Sequence, residues 1–250
     1  MSHRDTNRST NISLAEIRET LERAEDSIIF ALLERSQYLD QTNSSVSLDL
    51  LKLTEIAQAQ AGRYACPEET PFTCPDNSRY SQYQSENPPT HRLDRYLSAH
   101  HYTINYNAKL LQYYFSTLLP NISEAGQDPN PGSAAVADIA LLQAVSRRIH
   151  LGKVVGESKL RRDATFGSLQ NQSDQDILEH ITDEPREKVV MDRVTRKAEQ
   201  YLAVFQTSHH PSRLTPKSIA NFFHEFIIPV TKAVQVDYLR PTVGIVTQTN

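Results

Sequence analysis

Apolar residues recur three and four positions apart through most of the chain, the spacing that lays a stripe along one face of an α-helix. The first clear stripe is Leu14, Ile17, Leu21, Ile28 and Leu32. Ser13, with Glu16 three residues on, is a capping-box signature ahead of it, so a helix is predicted from there to about Tyr38. A second stripe, Leu50, Leu53, Ile56 and Ala57, predicts a helix over about 48–61 with Gly62 where a C-terminal cap would sit. The pattern breaks over 64–91, where Pro67, Pro71, Pro75, Pro88 and Pro89 interrupt it. That stretch reads as a long surface connection rather than a separate domain. A helix is predicted over about 107–122, and after the turn-rich 126–132 a long helical pattern, capped by Ser133, runs to about Arg162. Residues 174–201 read as a short helix and a longer one, with Asp183 as cap and Pro185 in the first turn. Thr215 and Pro216 open a final helix to about Leu239. The expected fold is all-α, a single helical domain over 1–250 with its polar N-terminus (1–12) and the tail 241–250 frayed.

Composition narrows the functions. A formal charge of −4 leaves no global basic field for nucleic acid or an anionic membrane, so any anion must be met by a local cluster of Arg and Lys. The longest apolar runs fall short of the roughly 20 residues that span a bilayer, and the N-terminus carries no apolar signal segment, so a cytoplasmic protein is expected. Cys66 and Cys74 alone support neither a disulfide framework nor a four-ligand zinc site. The tandem pairs His100-His101 and His209-His210 lack a third ligand at metal spacing. No Gly-rich phosphate loop or nucleophile elbow stands out. Neither a metal nor a cofactor is expected, and covalent and phosphoryl-transfer chemistry is poorly supported.

Arg148 and Lys159 are 11 residues apart. On one helix that is about three turns, so both face one way with roughly 16 Å between them along the axis. Gly152 and Gly156 fall between them on the same face, where a glycine costs roughly 0.5–1 kcal/mol relative to alanine. Two readings are open. A bare patch between two cations suits a small anion lying on the helix; alternatively the glycines admit a neighbouring helix and the cations stay solvated. Thr231 with Gln235, and Asp183 with Glu187, are i,i+4 pairs that either point polar groups inward or form solvated faces and caps. Arg18, beside the first apolar stripe, can snorkel with Glu22 as partner. Taken one by one, the plainer readings suit each of these residues.

The string Ile17-Arg18-Glu19-Thr20-Leu21-Glu22-Arg23-Ala24-Glu25-Asp26-Ser27-Ile28-Ile29-Phe30 resembles the first helix of fungal and plant chorismate mutases. Other segments agree with that family in order: Pro67-Glu68-Glu69-Thr70-Pro71-Phe72, Asn105-Tyr106-Asn107, Ser146-Arg147-Arg148-Ile149-His150-Leu151-Gly152-Lys153 running on to Lys159, and Ile227-Ile228-Pro229-Val230-Thr231-Lys232 running on to Tyr238. The resemblance spans about 12–240. It implies an all-helical homodimer with one site inside each subunit, rearranging chorismate to prephenate in phenylalanine and tyrosine biosynthesis without covalent catalysis. Carried over by motif, Arg18 and Arg148 clamp the two carboxylates of chorismate and Thr231 assists one of them. Lys159 and Gln235 meet the ether oxygen, Glu187 takes the ring hydroxyl, and Asp183 lies close to it.

The chain departs from the family pattern at several positions. Gln235 stands where the best-known fungal member has a glutamate that must be protonated to donate; an amide donates at any pH, so activity is expected to persist through neutrality. Asp183 replaces an asparagine and suits a helix cap better than contact with a dianion. The family also has a dimer-interface site where tyrosine inhibits and tryptophan activates, built from an arginine pair and a Gly-Ser turn. Gly132-Ser133, just after Asn130, matches the turn; Arg63 matches one arginine, Gly62 takes the place of the other, and Val136 replaces a threonine. Effector binding is therefore implied, without its sign. The rival class is a helical interaction protein, or a mutase relative turned aromatic amino-acid sensor. Retention of Arg18, Arg148, Lys159 and Thr231 together favours the enzyme, because a scaffold has no need of cations around an unfilled pocket.

Overall fold

A serine hydroxyl starts the first helix. Ser13 Oγ accepts the Glu16 N–H at 3.2 Å and the Glu16 carboxylate accepts the Ser13 N–H at 2.8 Å, so the capping box is formed and α1 runs Leu14–Arg35. The computed structural model describes residues 12–41, 45–61, 96–98, 101, 103–162, 172–205 and 212–240. The chain continues through α2 (Ser45–Gln60), α3 (Asn107–Tyr113), a π-helical turn (Tyr114–Leu118) and α4 (Leu119–Ile122). Then come α5 (Pro131–His150), α6 (Gly152–Arg162), α7 (Asp174–Ile181) and α8 (Glu184–Phe205). Last are α9 (Pro216–Phe222), a second π turn (Phe223–Ile227) and α10 (Ile228–Leu239). Among the described residues there are no strands, only the isolated bridges Asp40 to Ala125 and Ser123 to Ser212. No helix among them is long and apolar enough to cross a membrane. The predicted cap at Gly62, the Pro-rich 64–91 and both frayed ends lie outside the described residues or at their margin.

Helix α5 is the hub, packing against α1, α2, α3, α6 and α10. Ile28, Ile29 and Leu32 of α1 join Leu141, Leu142, Val145 and Ile149 of α5, and Phe222, Phe223, Phe226 and Ile227, in one core. Each such side chain, once fully buried, contributes about 1.5–3 kcal/mol. Inside this apolar packing sits an ion pair that hydrophobic periodicity does not reveal: Arg35 of α1 with Asp138 of α5, the carboxylate also accepting from Tyr114. Burial works against the charge of the Arg35 guanidinium, and the Asp138 carboxylate more than offsets it. The same guanidinium donates to the carbonyls of Tyr38 (2.9 Å) and Leu39 (3.3 Å). Those carbonyls are available because α1 stops at Arg35, short of the predicted Tyr38, and residues 36–38 form a turn instead.

Two further boundaries differ from the sequence reading. Asn130, not Ser133, caps α5: its side chain accepts the Ser133 N–H at 3.4 Å, and Pro131 takes the first position, where a missing N–H costs nothing. The single long helix predicted to Arg162 is interrupted at Leu151, between α5 and α6. The two π turns share a cause. Pro120 and Pro229 each lie two residues beyond a π turn, and a proline crowds the carbonyl four residues earlier. Ser116 and Glu225 occupy those earlier positions, inside the widened turns.

Candidate active site

Thr231 and Gln235 lie one helical turn apart on α10, and both are buried. Thr231 Oγ1 donates back to the Ile227 carbonyl at 2.6 Å and accepts from Arg148 Nη1 at 3.4 Å. Arg148, near the end of α5, is only 5% exposed and has no carboxylate in salt-bridge contact among the described residues; its Nε is buried without a hydrogen-bond partner there. Burial pushes its pKa down to about 10, with Glu25 raising it and Arg193 lowering it. A buried guanidinium that is neither paired nor fully hydrogen-bonded is expensive unless a ligand completes it.

Lys159 arrives from α6. Its Nζ donates to the Ile181 carbonyl at 2.8 Å, at the C-terminus of α7, where the carbonyl ends of a helix favour a cation. Burial pushes Lys159 down to about 8, and the nearby carboxylates of Asp183 and Glu187 pull it back up. Gln235, 6% exposed, donates from Nε2 to the Thr231 carbonyl at 3.3 Å, while its Oε1 is buried without a partner. The amide nitrogen carries two N–H groups, so one remains after Thr231 is served.

The acidic pair divides its work. Asp183 Oδ1 accepts the Arg186 N–H at 3.0 Å, so it caps α8, as the sequence reading anticipated, and it is exposed. Glu187, one turn on, pairs with Lys232 of α10 at 2.9 Å. Lys232 is a cation beside the site that the motif-by-motif reading left without a role; its position next to Thr231 was the available signal. Glu25 and Arg193 were missed as well. Arg193 donates two bonds to the Glu25 carboxylate, both at 2.8 Å, and a third to Glu22 at 2.9 Å. Glu22 is therefore committed to α8 and is not the partner of Arg18 that simple helix spacing suggested.

Arg18 is exposed on α1, one residue beyond the buried Ile17, which packs with Val154 of α6. The structure joins Arg148 of α5 to Thr231 of α10, whose carbonyl also serves Gln235, sets Lys159 of α6 near Asp183 and Glu187, and leaves Arg18 exposed. The glycines resolve against the bare-patch reading. A Cβ at Gly152 would stand 2.6 Å from the Thr231 carbonyl, and one at Gly156 3.0 Å from the Tyr238 ring. Helix α10, not a ligand, occupies that stretch of α6. At the turn before α5, Gly132 faces open space and Asn130 is spent on the cap; Gly62 and Arg63 lie outside the described residues.

The fold is an all-helical protein that buries Arg148 and Gln235 and desolvates Lys159. The family model for chorismate mutase type II matches residues 132–236, a span holding Arg148, Lys159, Asp183, Glu187, Thr231 and Gln235. The chorismate mutase of Saccharomyces cerevisiae is 35% identical over 253 residues, covering 94% of this chain and 96% of that one. The crystal structure of a Candida albicans chorismate mutase in complex with L-Trp superposes with a TM-score of 0.73 at 34% identity, covering 91% of this chain and 90% of that one. AtCM1, with phenylalanine bound in its allosteric site, gives a TM-score of 0.71 at 30% identity, covering 94% and 97%. The chain belongs to the chorismate mutase family, an isomerase family.

Proposed function

We propose that Arg148, Thr231, Lys159 and Gln235 carry out the rearrangement of chorismate to prephenate in this chain. The reaction breaks a C–O bond as a C–C bond forms, so no proton need move and no covalent intermediate is required. The protein's task is to hold the compact conformer and to stabilise charge that grows on the ether oxygen. Arg148, aided by Thr231, grips one carboxylate, and Arg18 closes on the other from the rim of α1. Lys159 and the second N–H of Gln235 donate to the ether oxygen. Glu187, held by Lys232, accepts the ring hydroxyl, and Asp183 acts on the site through the basicity of Lys159.

The observation that carries this reading is the buried Arg148, whose Nε has no partner among the described residues. Its test is loss of chorismate absorbance with purified protein beside Arg148→Ala. Turnover in the wild type and a loss of about 100-fold or more in the variant are expected. No turnover in the wild type would overturn the reading in favour of the sensor.

The reading extends to effectors. The relatives that hold L-Trp, or phenylalanine in an allosteric site, support an aromatic amino acid, tyrosine or tryptophan, as regulator. Its binding residues would be Asn130, Gly132 and Ser133 at the start of α5, with Gly62 and Arg63. A homodimer belongs to the same reading, and the exposed Leu48 and Leu53 of α2 and Val136 of α5 are apolar surface suited to it.

A further inference from the structure

Lys159 and Gln235 lie on different helices, α6 and α10, so their reach to a shared atom depends on how those helices are held together. At one end Gly152 lets the Thr231 carbonyl approach α6 closely. One helical turn beyond Gln235, Tyr238 lies against Gly156, with its ring carbon 3.0 Å from where a Cβ would stand. The Tyr238 hydroxyl is 2.6 Å from Glu157 Oε2, 2.9 Å from the Ser98 N–H and 3.2 Å from Ser98 Oγ. A phenol has one proton; given to the carboxylate, it leaves the oxygen to accept both Ser98 groups. Burial, and then Glu157, push the Tyr238 phenol up to about 12, so it keeps that proton through the working range.

The other oxygen of Glu157 accepts from Arg161 Nε at 2.6 Å. Arg161 in turn donates to the Tyr96 carbonyl at 2.7 Å and lies over the Tyr96 ring, 4.3 Å from its centroid. Tyr96 is buried in a cluster with Val154 of α6 and Ile17 of α1, the neighbour of Arg18. Residues 96–98 therefore form a strap across the helices that carry Lys159, Gln235 and Arg18. Glu157, two residues from Lys159, uses both carboxylate oxygens in this clasp.

We propose that Tyr238 and Glu157 are positioning residues for the mutase reaction: their hydrogen bond, backed by Arg161 and Ser98, sets the register of α6 on α10 that aims Lys159 and Gln235 at one point. This rests on the reading of Lys159 and Gln235 given above. Because those donors act on charge that appears only in the transition state, loosening the clasp lowers kcat, whereas the grip of Arg148 and Thr231 on the carboxylate, and with it KM, is spared.

The test is Tyr238→Phe, which keeps the ring against Gly156 and removes only the hydroxyl, assayed beside wild type, Lys159→Met and the double variant. A fall in kcat of about tenfold with KM within about twofold is expected. In the Lys159→Met background the same substitution should cost less than about twofold, since no ammonium remains to be misplaced. Glu157→Gln, with one acceptor oxygen for two donors, should fall between wild type and Tyr238→Phe. A kcat equal to wild type in Tyr238→Phe, or an equal loss with and without Lys159, overturns the clasp, while a Lys159→Met that is greatly slowed but still measurable leaves the active-site reading standing. Absence of turnover in the wild type overturns both.

Discussion

Lys159 exposes the proposed site to a test by pH alone. Its ammonium is pushed down from 10.5 to about 8, chiefly by burial. At about 1.4 kcal/mol per unit, the pocket without ligand disfavours the charged form by about 3 kcal/mol. The folded value lies below the unfolded one, so the stability tied to this group is complete above about pH 10.5 and is lost as pH falls towards about 8. A dianion reverses the balance: it raises the pKa again, so binding above about pH 8 takes up a proton. The quantity kcat/KM reports the free enzyme and is expected to be level through neutrality, then to drop about tenfold per pH unit above about pH 8. The limb in kcat, which reports the complex, should lie at higher pH. Lys159→Arg supplies the control, because a guanidinium stays charged; its alkaline limb should move up by about one unit or more, at a lower rate set by the different donor geometry. Chorismate disappearance from about pH 6 to 10, at limiting and saturating substrate, reads all of this. A wild-type profile without the limb, or a limb unmoved in Lys159→Arg, would refute the assignment.

Asp138→Ala should leave the Arg35 guanidinium buried and unpaired and cost about 3–5 kcal/mol in urea unfolding, whereas replacing both partners with apolar residues should cost much less. Gly152→Ala puts a Cβ 2.6 Å from a backbone carbonyl that cannot rotate away; a loss of about 1–3 kcal/mol is expected, together with a drop in kcat as α6 is pushed off α10. Gln235→Glu exchanges a donor that works at any pH for one that must be protonated, so kcat/KM should fall steeply between about pH 5 and 7, where the wild type stays flat.

Most of the helical fold was legible in the chain because its determinants are local. The Ser13–Glu16 box, the Thr215 cap, the Asp183 cap and the division into α7 and α8 are each settled within about one turn of sequence. The site was legible only through family motifs. Spacing alone favoured solvated cations for Arg148 and Lys159, and nothing in the pattern separates a charge facing water from one facing an interior pocket. The glycine stripe was the instructive case: its periodicity was real, but it served α10 rather than a ligand.

What the chain by itself determined was where helices begin, which faces are apolar, and that anions must be met by a few local cations, since all of these follow from propensity, period and charge. The tertiary structure decided the pairings: Arg35 with Asp138, Glu25 with Arg193, Tyr238 with Glu157. Those partners are 103, 168 and 81 residues apart, and each helix offers several polar groups that could serve. Only the packing of α1, α6 and α10 on α5, and of α8 on α1, determines which charge is buried beside which, and so leaves Arg148 buried without a carboxylate in salt-bridge contact among the described residues.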